Sequence, residues 1–255
     1  KLKELLKSKI IDMAIKGELT KQLPTDEPAS KLIKNILEEK RKLMEEGKIK
    51  KENLSVIYKD STDNQFYEKF DNGKIINITD KIPFDIPDTW CWVKIKDICL
   101  INPRNSLADE LETSFIPMTL INSGYSNSYT FEIKKWKDIK KGFTHFKEGD
   151  IGIAKITPCF QNKKSTIFKK LKNGYGAGTT ELHILRTITD DIETEYLFWI
   201  IKSSYFIDSG VKSYSGTVGQ QRISKDFLFN FLVPVPNHNE QIKIINNINK
   251  VFNNI

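Results

Sequence analysis

Between about residues 83 and 236 the sequence is a succession of short β-like runs separated by Gly, Pro, Asn and Ser, a pattern few architectures can accept. Cys91, Val93 and Ile95 alternate with Trp92, Lys94 and Lys96, the mark of a half-buried strand, and stretches 151–156, 165–168, 180–186 and 227–235 are further strand candidates. One stretch breaks the series: residues 195–208, with Tyr196, Phe198, Trp199, Ile200, Ile201 and Phe206, predict a helix too apolar for a surface position. The body is therefore expected to be α/β (α+β) with a mixed, twisted β-sheet. Amphipathic helices flank it. Leu2, Leu6, Ile10 and Met13 form a stripe that stops at Gly17; a second helix opens at Pro28 behind Asp26 and Glu27 and runs to Gly47. Asn237 with Glu240 three residues on predicts a capping-box start for the last helix, whose seam would hold Ile242, Ile245, Asn249, Phe252 and Ile255. This divides the chain into a helical region 1–47, a linker 48–82 that is polar and aperiodic apart from Ile75, Ile76 and Ile78, the body 83–236, and a helix start 237–255. Helices this short are marginal alone in water, so their stripes must be buried against their own domain, each other or another chain, which allows a coiled-coil arm and a homodimer through the terminal helices.

Several function classes are excluded. Cys91, Cys99 and Cys159 cannot all pair within one chain and show no metal-type spacing, so neither a disulfide framework nor a four-ligand zinc site is expected. No apolar run approaches the ~18 residues of a membrane span, so the expected setting is the cytoplasm, with no membrane partner. The chain opens on Lys1 rather than Met, which points to a trimmed start. Phosphate-loop, nucleophile-elbow, metalloprotease and dinucleotide motifs are all missing. Acidic residues Asp88 and Glu132 can be forced into a nuclease pattern, but Asp88 fits better in the turn before the first strand. His145, His183 and His238 have no carboxylate or cysteine neighbour in sequence and read as surface or packing residues. Asn102, Pro103 and Arg104 do not make the Asn-Pro-Pro-aromatic signature of amino-methyltransferases, so no methyl donor and no other cofactor is expected.

Charge placement says more than total charge. The chain carries +7, yet residues 134–172 hold twelve lysines against Asp138, Glu148 and Asp150, so the remainder is slightly acidic. A basic segment in a near-neutral protein is the footprint of a polyanion binder, and equally of a lysine-coated solvated face.

Residues 147–163, KEGDIGIAKITPCFQNK, resemble the GDIL-A-ITPCFENGK motif in target recognition domains of type I restriction-modification specificity subunits. Further resemblances follow in the family's order: residues 179–186 to its STEFHVLR strand, 216–222 to its GxxGQQR turn, and 233–236 with Glu240 and Gln241 to its PLPPxxEQ helix entry. Upstream, residues 14–19 and 26–30 are similar to the far end of such a helix. The resemblance implies a non-catalytic chain in which 83–236 is a DNA target recognition domain reading one half of a bipartite site, and in which the flanking helices belong to a conserved coiled coil. It implies double-stranded DNA, methyltransferase (modification) subunits and motor-nuclease (restriction) subunits as partners. With one recognition domain, the sequence corresponds to a fragment or a half-subunit.

On this reading Lys155, Lys163, Lys164, Lys169, Lys170 and Lys172 are candidates for phosphate contacts, which give affinity but no sequence choice. Thr157, Asn162, Thr179, Thr180, Gln220, Gln221 and Arg222 accompany them in the shared motifs. Motifs common to domains that read different sequences suit scaffold or backbone grip, so base readout is expected in the less motif-like stretch 102–130, from Asn102, Arg104, Asn105, Asn122, Ser123, Ser126, Asn127, Ser128 and Tyr129. Two alternatives stand beside this: a catalytic nuclease or DNA methyltransferase chain, and an assembly module that binds no DNA.

Overall fold

A computed structural model describes residues 2–23, 25–217 and 219–254. Its elements are α1 (Leu2–Ala14), α2 (Ala29–Glu45), β1 (Ser55–Lys59), β2 (Phe66–Phe70), β3 (Ile75–Asn77), β4 (Cys91–Lys94), the single turn α3 (Ile95–Ile98), β5 (Cys99–Ile101), β6 (Glu112–Ile116) and β7 (Glu132–Lys135). After them come the single turn α4 (Trp136–Ile139), β8 (Thr144–Lys147), β9 (Ile151–Ala154), β10 (Ser165–Ile167), β11 (Tyr175–Gly178), β12 (Leu182–Thr187), α5 (Thr194–Lys202), α6 (Ser204–Lys212), α7 (Lys225–Asn230), β13 (Leu232–Val235) and α8 (His238–Asn253). They form two compact units: Lys1–Ile11, Cys99–Thr187 and Thr194–Phe229 make the first, and Asp12–Ile98, Ile188–Glu193 and Asn230–Ile255 the second. The architecture is mixed α+β.

The first unit contains two four-stranded sheets. One is antiparallel, in the order β10-β9-β12-β5. The other, β7-β6-β11-β8, is mixed, with β11 parallel to β6 and antiparallel to β8. Their shared core is built around Phe146 and Phe168, whose rings stack 3.8 Å apart among Ile116, Ile121, Leu182 and Ile184. A Cβ at Gly152 would press into the Phe168 ring and one at Gly176 into the Phe146 ring, so both strands stay glycine where the rings pass. Asp150 is fully buried, with its carboxylate paired to Arg186 through two 2.8 Å bonds and accepting from Lys147 N. That pairing accounts for the acid in the GDI portion of the first motif.

In the second unit β1, β2 and β3 form an antiparallel meander, and β13 pairs antiparallel with β4. Ile57, Ile78, Trp92 and Leu232 share its core. The Glu-Gln pair of the last motif is structural. Glu240 is buried and accepts from Thr20 Oγ1, Gln22 Nε2 and Trp90 Nε1 at 2.7, 2.7 and 3.0 Å. Gln241, also buried, accepts from Glu193 N and donates to Asp191 O. A carboxylate and an amide removed from water need such partners, and both have them here.

Five local expectations change. Residues 48–82 are not aperiodic: Ser55 and Ile57 point inward while Val56 and Tyr58 stay exposed, an alternation too short to stand out beside its Lys and Asp neighbours. The strand from Cys91 ends at Lys94, with the neighbours Trp92 and Val93 both buried instead of alternating, and 95–98 turns helical. The stretch from Phe227 begins in α7 before β13 starts. The apolar helix 195–208 is two helices, because Ser203 adopts an extended backbone and its Oγ accepts from Phe206 N at 3.1 Å, capping a new start. In α8, Asn237 caps as expected through Glu240 N, but Glu240 does not complete the box, and Ile242 is exposed while Ile244, Ile245 and Ile248 form the buried face. Phe252 is half-buried and Ile255 lies outside the described residues.

Candidate nucleic-acid interface

Three motif segments converge in the first unit. The end of β9 lies beside the start of β12, with Lys155 N donating to Glu181 O at 2.9 Å. The turn before α7 then closes onto the same place, as Thr157 N donates to Gln221 O and Ile223 N to Lys155 O. Arg222 clamps the assembly: its Nε and Nη2 reach the two Glu181 oxygens at 2.9 Å each, and its Nη1 donates to Gln220 O. This bidentate pair lowers the Glu181 pKa and raises that of Arg222, in each case chiefly through the hydrogen bond between them. Beneath it His183 is buried, bonded through Nε2 to Ile223 O (3.3 Å) and through Nδ1 to Asn102 Nδ2 (3.2 Å). Burial pulls its pKa down to about 4, so the ring is neutral and has a packing role at neutral pH.

Side chains around this platform that make no hydrogen bond or ion pair among the described residues are Lys155, Asn162, Thr180, Gln220 and Gln221. Thr179 accepts from Glu181 N, and the Thr157 hydroxyl is buried without a partner among the described residues. Arg222 is tied to Glu181, which fits the scaffold role expected of a shared motif. Val218, in the middle of the GxxGQQR turn, lies outside the described residues.

The 117–130 stretch is organised differently. Asn127 Oδ1 accepts from Ile167 N and Thr166 Oγ1, securing the loop to β10. Tyr129 Oη donates to Lys169 O and accepts from Lys169 N. Lys163 Nζ donates to Tyr125 Oη at 2.6 Å, and Lys164 Nζ to Met118 O at 3.0 Å. Asn127, Tyr129, Lys163 and Lys164 therefore serve to build the loop. Asn122, Ser126 and Ser128 hydrogen bond to one another at its tip, Asn122 Nδ2 to Ser128 Oγ and Ser126 Oγ with Ser128 Oγ, both at 2.6 Å. Ser123 is exposed nearby.

Nearer β5 the expected readers, half-buried or exposed, are all engaged with the chain itself. Asn102 exchanges bonds with the Ile184 backbone, and Asn105 bonds Phe146 O, His145 and Arg186. Arg104 is exposed but donates to Phe143 O and Lys140 O. His145 is buried against Trp136, and burial lowers its pKa.

The basic run is partly neutralised by acids the sequence places outside it. Lys135 and Lys137 both reach Glu110, Lys140 reaches Asp109, Lys134 reaches Glu132, and Lys172 reaches Glu112. Lys135 and Lys137 pull the Glu110 carboxylate down to about 2. Lys155, Lys169 and Lys170 make no ion pair among the described residues, so the cationic surface is narrower than the lysine count suggests. Asp88 sits in a turn, and among the described residues no group of three His, Cys, Asp or Glu side chains is placed to hold a metal ion. No described helix is long and apolar enough to cross a membrane.

A family model described as the type I restriction modification DNA specificity domain matches residues 87–255. The chain is 46% identical over 247 residues to the type I restriction enzyme EcoAI specificity subunit of Escherichia coli, covering 96% of this chain and 38% of that protein. It is 40% identical over 254 residues to the EcoEI specificity subunit of Escherichia coli, covering 99% of this chain and 39% of that protein. The chain thus spans about two fifths of the length of these curated relatives. The crystal structure of the HsdS subunit from Thermoanaerobacter tengcongensis superposes with a TM-score of 0.56 at 17% identity, over 66% of this chain and 43% of that one, a likeness of fold.

Proposed function

The chain belongs to the type I restriction-modification DNA specificity family, and from that premise we propose that it recognises one half of a bipartite site on double-stranded DNA without performing chemistry on it. One observation carries the reading: motif segments far apart in sequence are bonded into one platform, with unengaged polar and cationic side chains around it. Lys155, Lys169 and Lys170 supply phosphate contacts, with Asn162, Thr180 and Gln220 beside them, while Asn122, Ser126 and Ser128 address base edges. Residues 83–236 are the recognition domain on this reading, and the terminal helices are coiled-coil segments that dock modification and restriction subunits in the cytoplasm. Those partner subunits supply the methyl-transfer and cleavage chemistry.

The test is selection of bound duplexes from a randomised pool by the full chain, followed by affinity measurement across a salt series. Enrichment of a defined half-site, with affinity falling steeply as salt rises, is expected. Equal binding of all sequences, or DNA turnover by the chain alone with Mg²⁺ or a methyl donor, overturns the reading.

A further inference from the structure

Lys202 closes α5 directly after the apolar run 196–201 and is fully buried. Its ammonium donates to three main-chain carbonyls: Gly124 O at 2.7 Å, Lys163 O at 2.6 Å and Ser165 O at 3.0 Å. No carboxylate pairs with it among the described residues, and its Nζ lies 5.0 Å from the centre of the Phe198 ring. Burying an ammonium is costly, and an apolar side chain of similar length would fill the space without that cost. What a lysine does here that a methionine cannot is direct three hydrogens at three carbonyls on two separate stretches of chain, one at Gly124 and one at 163–165.

Those segments carry the proposed contacts. Gly124 sits in the loop whose tip presents Asn122, Ser126 and Ser128. Lys163 ends the turn that carries Asn162, and Ser165 begins β10. Gly124 N also donates to Asn162 O at 2.8 Å, so the loop and the turn are stitched directly as well as through Lys202. Burial pulls the Lys202 pKa down to about 7, while the three carbonyls favour the protonated form and oppose that pull.

We infer that Lys202 is a positioning residue which, from inside the fold, holds the 122–130 loop and the 157–164 turn as one body, so that their side chains meet the duplex in a fixed register. The inference rests on the DNA-recognition reading.

The experiment uses the full chain and Lys202→Met, with two readouts. Amide hydrogen exchange is expected to quicken about tenfold in residues 122–130 and 157–165 together, with β6 and β11 unchanged. The ratio of affinities for the selected half-site and an unrelated duplex, at one salt concentration, is expected to fall about tenfold, while the unrelated duplex is bound about equally by both chains. Loops that loosen without a change in that ratio make Lys202 a structural residue only and overturn the positioning role. Loops that do not loosen overturn the linkage itself. Should Lys202→Met fail to fold, the unaltered chain decides: the Lys202 ammonium is expected to give a slowly exchanging NMR signal with couplings to the three carbonyls, and a freely exchanging ammonium contradicts the linkage. If the unaltered chain selects no sequence, the recognition reading fails on its own account, and the exchange data still decide whether Lys202 joins the two loops.

Discussion

The turn at 219–222 and the loop at 122–130 occupy the same compact unit and differ in where their side chains find hydrogen-bond partners. In the turn, the most chemically versatile residue, Arg222, is bonded to Glu181 and to its own backbone neighbour. In the loop, Gly124, Asn127 and Tyr129 are fixed from below while Asn122, Ser126 and Ser128, among the described residues, are bonded only to each other at the tip. A hydroxyl or amide engaged with another small polar group at the surface exchanges that partner for a base edge at little cost, whereas breaking a bidentate carboxylate–guanidinium pair is expensive.

The largest effect that sharpens this contrast is on stability. Asp150→Ala leaves Arg186 without its buried partner and is expected to destabilise the chain by about 3–5 kcal/mol in denaturant unfolding. A near-neutral result would show that the motif acid has another purpose. Next is a pH effect confined to the platform. Because burial lowers the His183 pKa from 6.5 to about 4, the unfolded chain takes up a proton before the folded one does. Stability is therefore expected to decline as pH falls from 6.5 toward 4, by at most about 3 kcal/mol from this residue. His183→Gln should flatten that limb of the stability–pH curve, and an unchanged limb would assign it to other groups.

Smaller effects separate grip from choice. Lys155→Ala is expected to reduce the slope of log affinity against log salt by about one, with the selected sequence unchanged. A changed sequence with an unchanged slope would move Lys155 from the gripping to the reading side. The smallest expected effect is the most diagnostic of the loop: replacing Asn122, Ser126 and Ser128 together by Ala should shift unfolding stability by about 0.5 kcal/mol or less. A large loss would mean that the tip supports the fold.

The helical ends were legible because their apolar spacing is regular, as in Ile33, Ile36 and Leu37 of α2, buried on one face, whereas only five of the strands (β4, β9, β10, β12 and β13) stood out, the others being too short or too polar to show a pattern. Breaks were not legible: Ser203 looks like one more polar residue in an apolar helix until its hydroxyl is seen capping Phe206 N. Among site residues, the placement of Lys155 beside the GxxGQQR turn depends on backbone bonds between distant segments, which spacing cannot report. Asn127 and Tyr129 have the composition of readers but are engaged by β10 and Lys169, so residue type alone could not separate building from reading. Lys202 has no motif around it, and a single lysine ending the run YLFWII is its one signal in the sequence.

The most direct test is a pair of selections from the same randomised duplex pool, one with the unaltered chain and one with the Asn122, Ser126 and Ser128 triple-alanine variant. The variant is expected to lose preference at one or two positions of the half-site, with about 1–3 kcal/mol of discrimination gone, while keeping the same salt dependence. An identical half-site from both chains would contradict the assignment of sequence choice to this loop.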